Sequence, residues 1–562
     1  MKFKLNRFVW ISILFLSLSI ILYSNITWTD FPQGQNIPFV EDVEKEGNPK
    51  MESVLYRLMN TYFEEGMEEA KEFAQQRDVG MKGDQVRVVA HAKAQSAGNK
   101  LRIRTYTLRK QIESLGGTVE LTHQNLIQSL LPLHSLQDFA NLDSVKYLRL
   151  PKKAIPLVES EGVQTTNAVQ WQNISQYRST EKVKVCVLDA GFKGYENLLG
   201  TDLPEKVTTK SFRADGNLYA HKHGTACAEI VHDMVPHAEL YLVNFNTSVE
   251  QHNAVDWIID QGIDIVSFSM GYFNMGAGNG TGPVCRDIKR AKNKGIVWVS
   301  AAGNYAKYHW EGIFNDPDND TLHNFPGAQG LPTDELLVFY VPANTPVSAY
   351  LNWNDWGSWN GTTYQGSNQD YDLYLYFWNG SNWSNVAQSM NIQSGFQWPV
   401  ESISGWYSQQ STWWGVAINR YSAARNVKLE LFIKGTSQEI LYNKKFGSLS
   451  IPADSPDGIT VGATDWFDDS LHSYSSRGPT TDKRKKPDFS APAGVSGVTY
   501  GNLGFYGTSA STPHVAGAFA LLKGKTPYSL EQIKMILESR AKDLGPNGKD
   551  NQFGIGRLDL KK

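Results

Sequence analysis

Four short runs, "VKVCVLD", "AELYLVNF", "IDIVSFSM" and "GIVWVSAAG", fall between Val183 and Gly303 and are apolar almost without interruption. A strand with one wet face alternates apolar and polar residues, whereas these have no side to offer to water. They suit strands of a parallel sheet covered on both faces. "HGTACAEIVHDM" and "VEQHNAVDWIIDQG" lie between them and read as helices, so the expected core is a doubly wound α/β sheet. In such a sheet, functional residues gather at the strand C-termini. The same rhythm returns in "DGITVGATD" and ends with "SLEQIKMILESRAKDLG" and "GIGRLDL".

With 562 residues the chain is too long for one core. Residues 328–447 hold nine of the 16 tryptophans, many Asn, Gly and Ser turns, and alternating runs such as "DYDLYLYFW" and "VKLELFIKG". They are expected to form an all-β sandwich inserted into the α/β domain. Upstream, apolar residues from Val54 to Phe63 recur at helical spacing. "QVRVVAHAK", "RTYTLRKQIESLGG", "TVELTHQN", "LIQSLLPL", "HSLQDFANL" and "VKYLRLP" then read as a small α+β unit of βαββαβ order. At the very start, Lys2, Lys4 and Arg7 precede sixteen residues, Phe8–Tyr23, whose only polar members besides the tyrosine hydroxyl are three serines. That is the pattern of an export signal, or of an uncleaved membrane anchor if no peptidase removes it. The expected division is 1–28 signal or anchor, 29–155 α+β module, 156–327 first part of the α/β domain, 328–447 insert, and 448–562 second part.

Net charge of -3, with no basic cluster, gives no electrostatic case for nucleic acid. Cys186, Cys227 and Cys285 have no metal-ligand spacing, so an exported chain of this kind does not depend on a disulfide framework.

Three junctions carry residues suited to nucleophilic catalysis. Asp189 ends the first buried strand, His223 opens a helix in "HGTACAEIV", and Ser509 stands in "YGTSASTPHVAGAFALL". Hydroxyls gathered before a helix can be caps, or one can be a nucleophile at the positive helix end. A serine needs an imidazole to take its proton, and the imidazole needs a carboxylate to fix its tautomer. The order Asp, His, Ser is one of the known chain orders for that triad. Asn304, just past "WVSAAG", could donate to an oxyanion, and the backbone N–H of Ser509 could be the second donor.

These blocks resemble the subtilisin family of serine endopeptidases: "VKVCVLDAG", "HGTACAEI", "IVSFSMG", "SAAGN" and "GTSASTPHVAGAFALL" occur in the family's order, and "SYSSRGPTTDKRKKPDFSAP" matches a further segment. The resemblance implies that Asp189 orients, His223 acts as general base and then acid, Ser509 attacks, and Asn304 stabilises the oxyanion. It also implies that Ser269, Met270 and Gly271 pair with an extended substrate backbone, with Ala302 and Gly303 flooring the pocket before the scissile bond. The partners would be protein or peptide substrates, with no organic cofactor. The N-terminal module resembles the family's propeptide, a chaperone and inhibitor of its own enzyme, with autocleavage expected between about Pro151 and Glu161. The segment from Asn244 to Val255 is shorter than in familiar secreted members and lacks their Gly-rich strand, the second edge that grips substrate.

Two features stay open on the sequence. Asp316, Asp318 and Asp320 alternate as the first ligands of a calcium loop do, yet the glycine and glutamate of an EF-hand are missing, so a solvated acidic turn competes with a structural calcium site. The insert's tryptophans could bind carbohydrate or pack the sandwich. A non-catalytic scaffold that works through this insert is the rival reading.

Overall fold

The structure, a computed structural model, describes residues 47–77, 79–93, 99–152, 155–156, 162–172, 182–326 and 335–561. The apolar run Phe8–Tyr23 lies outside them, as do residues 153–154 and 157–161 of the expected cleavage window. Among the described residues no helix is long and apolar enough to cross a membrane.

The N-terminal module opens with α1 (Ser53–Glu64) and α2 (Met67–Gln76). Leu55, Leu58 and Met59 recur at three- and four-residue intervals, and α1 buries that stripe. There follow β1 (Met81–Lys82), β2 (Gln85–Ala92), α3 (Asn99–Ser114), β3 (Thr118–His123), β4 (Leu126–Pro132), α4 (Leu136–Asn141) and β5 (Val145–Arg149). From β2 onward this is the expected βαββαβ order. The antiparallel sheet runs β2-β4-β3, with β1 and β5 both on the free edge of β2. Ile112, Ile127, Leu131 and Phe139 are among the side chains closing its core. Beyond it lies the short strand β6 (Ile155–Pro156).

The α/β domain begins with β7 (Lys184–Asp189), β8 (Thr208–Ser211), α5 (His223–Met234), β9 (Glu239–Asn244) and α6 (Ser248–Asp260). It continues through β10 (Ile265–Phe268), β11 (Met270–Gly271), α7 (Pro283–Lys292) and β12 (Val297–Ala301). Among the described residues the strands of the insert are β13 (His309–Ile313), β14 (Leu337–Val341), β15 (Thr345–Trp353), β16 (Asp370–Trp378), β17 (Trp383–Ser389), β18 (Val400–Ser408), β19 (Thr412–Ser422) and β20 (Lys428–Lys434). The chain then returns with β21 (Ile459–Asp465), β22 (Phe489–Ala493), α8 (Thr508–Lys525) and α9 (Leu530–Arg540).

Seven parallel strands, in the order β22-β21-β12-β10-β7-β9-β8, form the central sheet. Alternate residues of β7 feed opposite cores. Val185 and Val187 pack with residues of α5 and α8, while Cys186 and Leu188 pack with residues of α6 and α7. Both faces are covered, which is why the strands read as continuous apolar runs. Pro492 is tolerated because β22 is an edge strand.

The insert is a sandwich of two antiparallel sheets, β13-β20-β15-β18 and β14-β19-β16-β17. It starts earlier than the expected residue 328, because His309–Ile313 pairs with β20. Five residues whose partner lies more than a hundred positions later give no local periodicity to read. None of the nine insert tryptophans is exposed: Trp353, Trp356, Trp383, Trp413 and Trp414 are buried and the other four half-buried. They are core and rim packing, and the exposed aromatic side chains of the insert are Phe396, Tyr407, Tyr421 and Phe446 among the described residues.

The insert also touches the N-terminal module. Asn391 Oδ1 accepts from the Ser53 amide at 2.8 Å, Gln397 Nε2 donates to the Pro49 carbonyl at 2.7 Å, and the Arg77 guanidinium lies 5.0 Å from the Trp406 ring centre.

Candidate active site

Asp189 closes β7 and His223 opens α5, both wholly buried. Gly224 allows this approach. A Cβ there would come within 2.8 Å of Asp189 Cβ and 2.7 Å of the Phe192 ring. His223 Nδ1 faces both carboxylate oxygens of Asp189 at 2.8 Å, which puts the ring proton on Nδ1 and leaves Nε2 as the acceptor. Burial pulls the imidazole pKa down, but the Asp189 carboxylate overrides it and holds the group well above the usual histidine range. His221, a neighbour with no part in the pair, accepts the His223 amide through Nδ1 at 3.0 Å.

Ser509 is the second residue of α8. The cap of that helix is Gly507, and no side chain caps it, so the hydroxyls of "GTSAST" are not there to finish the helix. Each has another partner. Thr508 Oγ1 accepts from Gly303 N at 3.1 Å and donates to Asn304 Oδ1 at 3.0 Å. Ser511 Oγ donates to the Ala491 carbonyl at 2.8 Å, and Ser509 Oγ to the Ser269 carbonyl at 3.2 Å.

Pro513, inside the helix, has no N–H to give the carbonyl four residues back, which is that of Ser509. The freed carbonyl instead accepts from Ser269 Oγ at 2.7 Å and lies 3.7 Å from Cys227 Sγ. Cys227 Sγ is also 4.0 Å from His223 Nδ1, so one buried thiol touches both the histidine and the serine segment. Burial pushes that thiol's pKa up, which keeps it neutral.

Asn304 lies past β12, and Gly303 before it adopts a φ of 111°, a turn only glycine takes readily. Asn304 Oδ1 accepts from Thr508 N and Thr508 Oγ1, both at 3.0 Å. The amide orientation follows from these two donors, and its NH₂ end is left to donate elsewhere. Ala302 is buried against Leu449 and Ala453.

Met270 and Gly271 form β11, which pairs antiparallel with Pro156 and Ile155 of β6. The chain leaving the N-terminal module is therefore laid on the strand expected to take substrate. Among the described residues β6 has no second strand beside it, in keeping with the short stretch between β9 and α6. A cavity of about 490 Å³ opens where the module, the α/β domain and the insert meet, lined among others by Lys152, Thr247, Phe273, Ser348 and Tyr350.

The structure thus brings Asp189, His223, Ser509, Ser269 and Asn304 into one chain of contacts that runs through Cys227 and Thr508. Asp316, Asp318 and Asp320 lie elsewhere, in the insert after β13. Their carboxylates converge within 4.8 Å, but Asp316 is already paired with Arg420 at 2.9 Å. Sequence reasoning passed over Thr508, Cys227 and Pro513. Thr508 and Pro513 stand beside the serine in the chain, but their partners were not visible, and Cys227 lies 282 residues away.

An α/β sheet with a buried Asp–His pair and a helix-borne serine at its carboxyl edge has the architecture of a serine hydrolase. Residues 180–332 and 402–556 match the model of the subtilase family, and the chain belongs to that family. It is 39% identical over 120 residues to Subtilisin Savinase of Lederbergia lenta, covering 21% of this chain and 42% of that protein. With the membrane-bound transcription factor site-1 protease of Mus musculus it shares 38% over 128 residues, 20% of this chain and 12% of that one. The matched stretches thus span less than half of these relatives. Among solved structures, the Clostridium perfringens CspB protease aligns at 15% identity with a TM-score of 0.45, over 71% of this chain and 97% of that one. Fervidolysin from Fervidobacterium pennivorans aligns at 13% with a TM-score of 0.41, over 86% and 61%.

Proposed function

We propose that the protein is an exported serine endopeptidase, made as a zymogen, that hydrolyses peptide bonds through an acyl-enzyme. The observation that carries this reading is the buried Asp189–His223 pair, joined through Cys227 to the segment bearing Ser509. Ser509 Oγ leaves the Ser269 carbonyl and attacks the scissile carbonyl carbon as His223 Nε2 takes its proton. Asp189 holds the ring and the positive charge that forms on it. The oxyanion is received by the Asn304 NH₂ and by the Ser509 N–H, a free donor in the first turn of α8. His223 then returns the proton to the leaving amine, and water repeats the sequence on the ester.

The N-terminal module is the inhibitor in this scheme, with β6 standing where substrate would lie on Met270 and Gly271. Export rests on the signal-like run at Phe8–Tyr23 and on relatives such as the extracellular serine protease of Serratia marcescens, 46% identical over 63 residues, 11% of this chain and 6% of that protein. The calcium expectation narrows to Asp318 and Asp320, since Asp316 is engaged by Arg420, and no step of the hydrolysis runs through an ion.

The test is a peptide library digested with wild type and Ser509→Ala and read by mass spectrometry. Cleavage by wild type that falls by at least about 10⁴-fold in the variant is expected. Equal cleavage by both, or a purified protein whose N-terminus still precedes Pro151, would overturn the catalytic and the zymogen parts respectively.

A further inference from the structure

The insert leaves the α/β domain through β13 and rejoins it after β20, and these two strands pair antiparallel. His309 and Glu311 alternate with Trp310 on β13, so they share the face turned away from the sandwich core that holds the tryptophan. On β20, Glu430 stands between the core residues Leu429 and Leu431 and directly opposite Glu311. One imidazole and two carboxylates thus occupy a single face of adjacent strands. One candidate ligand atom from each lies within 4.8 Å of the other two.

Left to itself, that arrangement is unfavourable. Like charges directly opposite in an antiparallel pair repel. Lys428 offsets one of them, at 2.6 Å from Glu311 Oε2, and leaves the other. His309 is wholly buried, and its Nδ1 donates to the Lys444 carbonyl at 2.6 Å, so Nε2 is the lone-pair nitrogen of the neutral ring. That nitrogen lies 3.4 Å from Glu430 Oε1, acceptor against acceptor, and has no hydrogen-bond partner. A proton on Nε2 would point past Oε1, since the two atoms are within reach of each other yet out of line for a hydrogen bond.

A metal ion beside that line accounts for the separation and for the misalignment. Zn²⁺ takes imidazole nitrogen at about 2.0–2.1 Å and carboxylate oxygen at about 2.0–2.2 Å, so two ligand atoms on one tetrahedral ion stand about 3.4 Å apart. Nε2 and Oε1 have that separation. Each ligand is also held from behind, as metal ligands are. The Lys444 carbonyl fixes the ring, Asn352 Nδ2 donates to Glu430 Oε2 at 2.7 Å, and Lys428 holds Glu311 Oε2, which leaves one oxygen of each carboxylate to the ion. The Glu311 and Glu430 side chains are 29% and 19% exposed, so water can reach the fourth position. Gly447 keeps the flank clear, because a Cβ there would stand 2.9 Å from Glu311 Oε2 and 3.6 Å from His309 Cε1. A nitrogen donor among oxygens selects a borderline ion over calcium or magnesium, which take oxygen alone.

We infer that His309 Nε2, Glu311 and Glu430 bind one transition-metal dication of the Zn²⁺ type, with water as the fourth ligand. The ion fastens the strand by which the insert leaves the α/β domain to the strand by which it returns. Its binding is independent of whether the serine is catalytic.

The experiment uses the untagged full chain carrying Ser509→Ala, stripped of metal with a chelator and titrated with Zn²⁺ by calorimetry. One Zn²⁺ per chain and a raised Tm are expected. Affinity should fall at least about tenfold in Glu311→Gln, in Glu430→Gln and in His309→Gln, since loss of a supporting group alone weakens such sites that much. No Zn²⁺ bound, or Zn²⁺ bound as tightly by the three variants as by their parent, overturns the proposal. X-ray absorption by the bound Zn²⁺ needs no variant to fold. One imidazole among oxygen ligands is expected there, and none, or more than one, overturns the site.

Discussion

Among the described residues the α/β domain holds two wholly buried aspartate–histidine pairs, and their surroundings differ. Asp189 and His223 join a strand end to a helix start at the carboxyl edge of the sheet, where a serine segment comes within reach of the same thiol. Asp287 and His252 join two helices on one face of the sheet, and the nearest foreign group is another imidazole. In the first pair the carboxylate, with Cys227 adding to it, outweighs burial, so the histidine is held above its usual pKa. In the second, burial wins, with His123 and Arg286 adding to it while Asp287 is shared with Arg290, and the histidine falls below its usual pKa. The same two residue types at the same bonded nitrogen give a histidine held above its usual pKa in one place and below it in the other. Neighbours, not the pair, decide.

The comparison breaks most sharply on removing charge from each aspartate. Asp189→Asn is expected to lower kcat by about 10⁴-fold while the protein stays folded, because the ring loses its tautomer. Steady-state kinetics on the processed enzyme would measure it, and a loss below tenfold would contradict the role given to Asp189. Asp287→Asn is expected to register as lost stability, about 1–3 kcal/mol, because the buried hydrogen bond to His252 and the contact with Arg290 lose their carboxylate. Chemical denaturation of the two variants side by side distinguishes these outcomes.

Smaller effects sharpen the first site. Asn304→Ala should cost about 10²–10³ in kcat with KM little changed, since the amide acts only on the oxyanion. Thr508→Val removes the hydroxyl that orients Asn304 and should cost roughly tenfold, the worth of one hydrogen bond of about 1.4 kcal/mol. An Asn304→Ala, Thr508→Val double variant no slower than Asn304→Ala alone would show that the threonine works through the asparagine.

The mildest test is pH. A general base must be neutral, and His223 is held above its usual value, so kcat/KM should rise along a limb centred above about pH 6.5. The stability that protonated His223 draws from Asp189 has the opposite sense. It is fully present below about pH 6.5 and is lost as pH climbs through the folded-state value. A limb centred below 6.5 would mean that Asp189 does not control the ring during turnover.

Much of the fold could be read locally. The continuous apolar strands, the βαββαβ module and the alternating strands of the insert each express a periodicity within one segment, and each was found where its segment lies. Two things could not be read so. The strand His309–Ile313 is defined by its pairing with β20, and β6 by its place on β11. In both cases the hydrogen bonds that make the strand come from far along the chain. The cap reading of "GTSAST" also looked sound from propensity alone, and it failed because Gly303, Asn304, Ala491 and Ser269 claim those hydroxyls.

What the sequence determined by itself was the inventory: which segments could be strands with no wet face, which residues could pass a proton, and in what order they come. Those follow from side-chain chemistry and from the periods of helix and strand, which are local. Only the tertiary structure decided which of the protein's histidines meets which aspartate, and which of those pairs meets a serine. Burial, opposing charge and an unpartnered lone pair are properties of a place where distant segments converge, and no stretch of chain carries them alone.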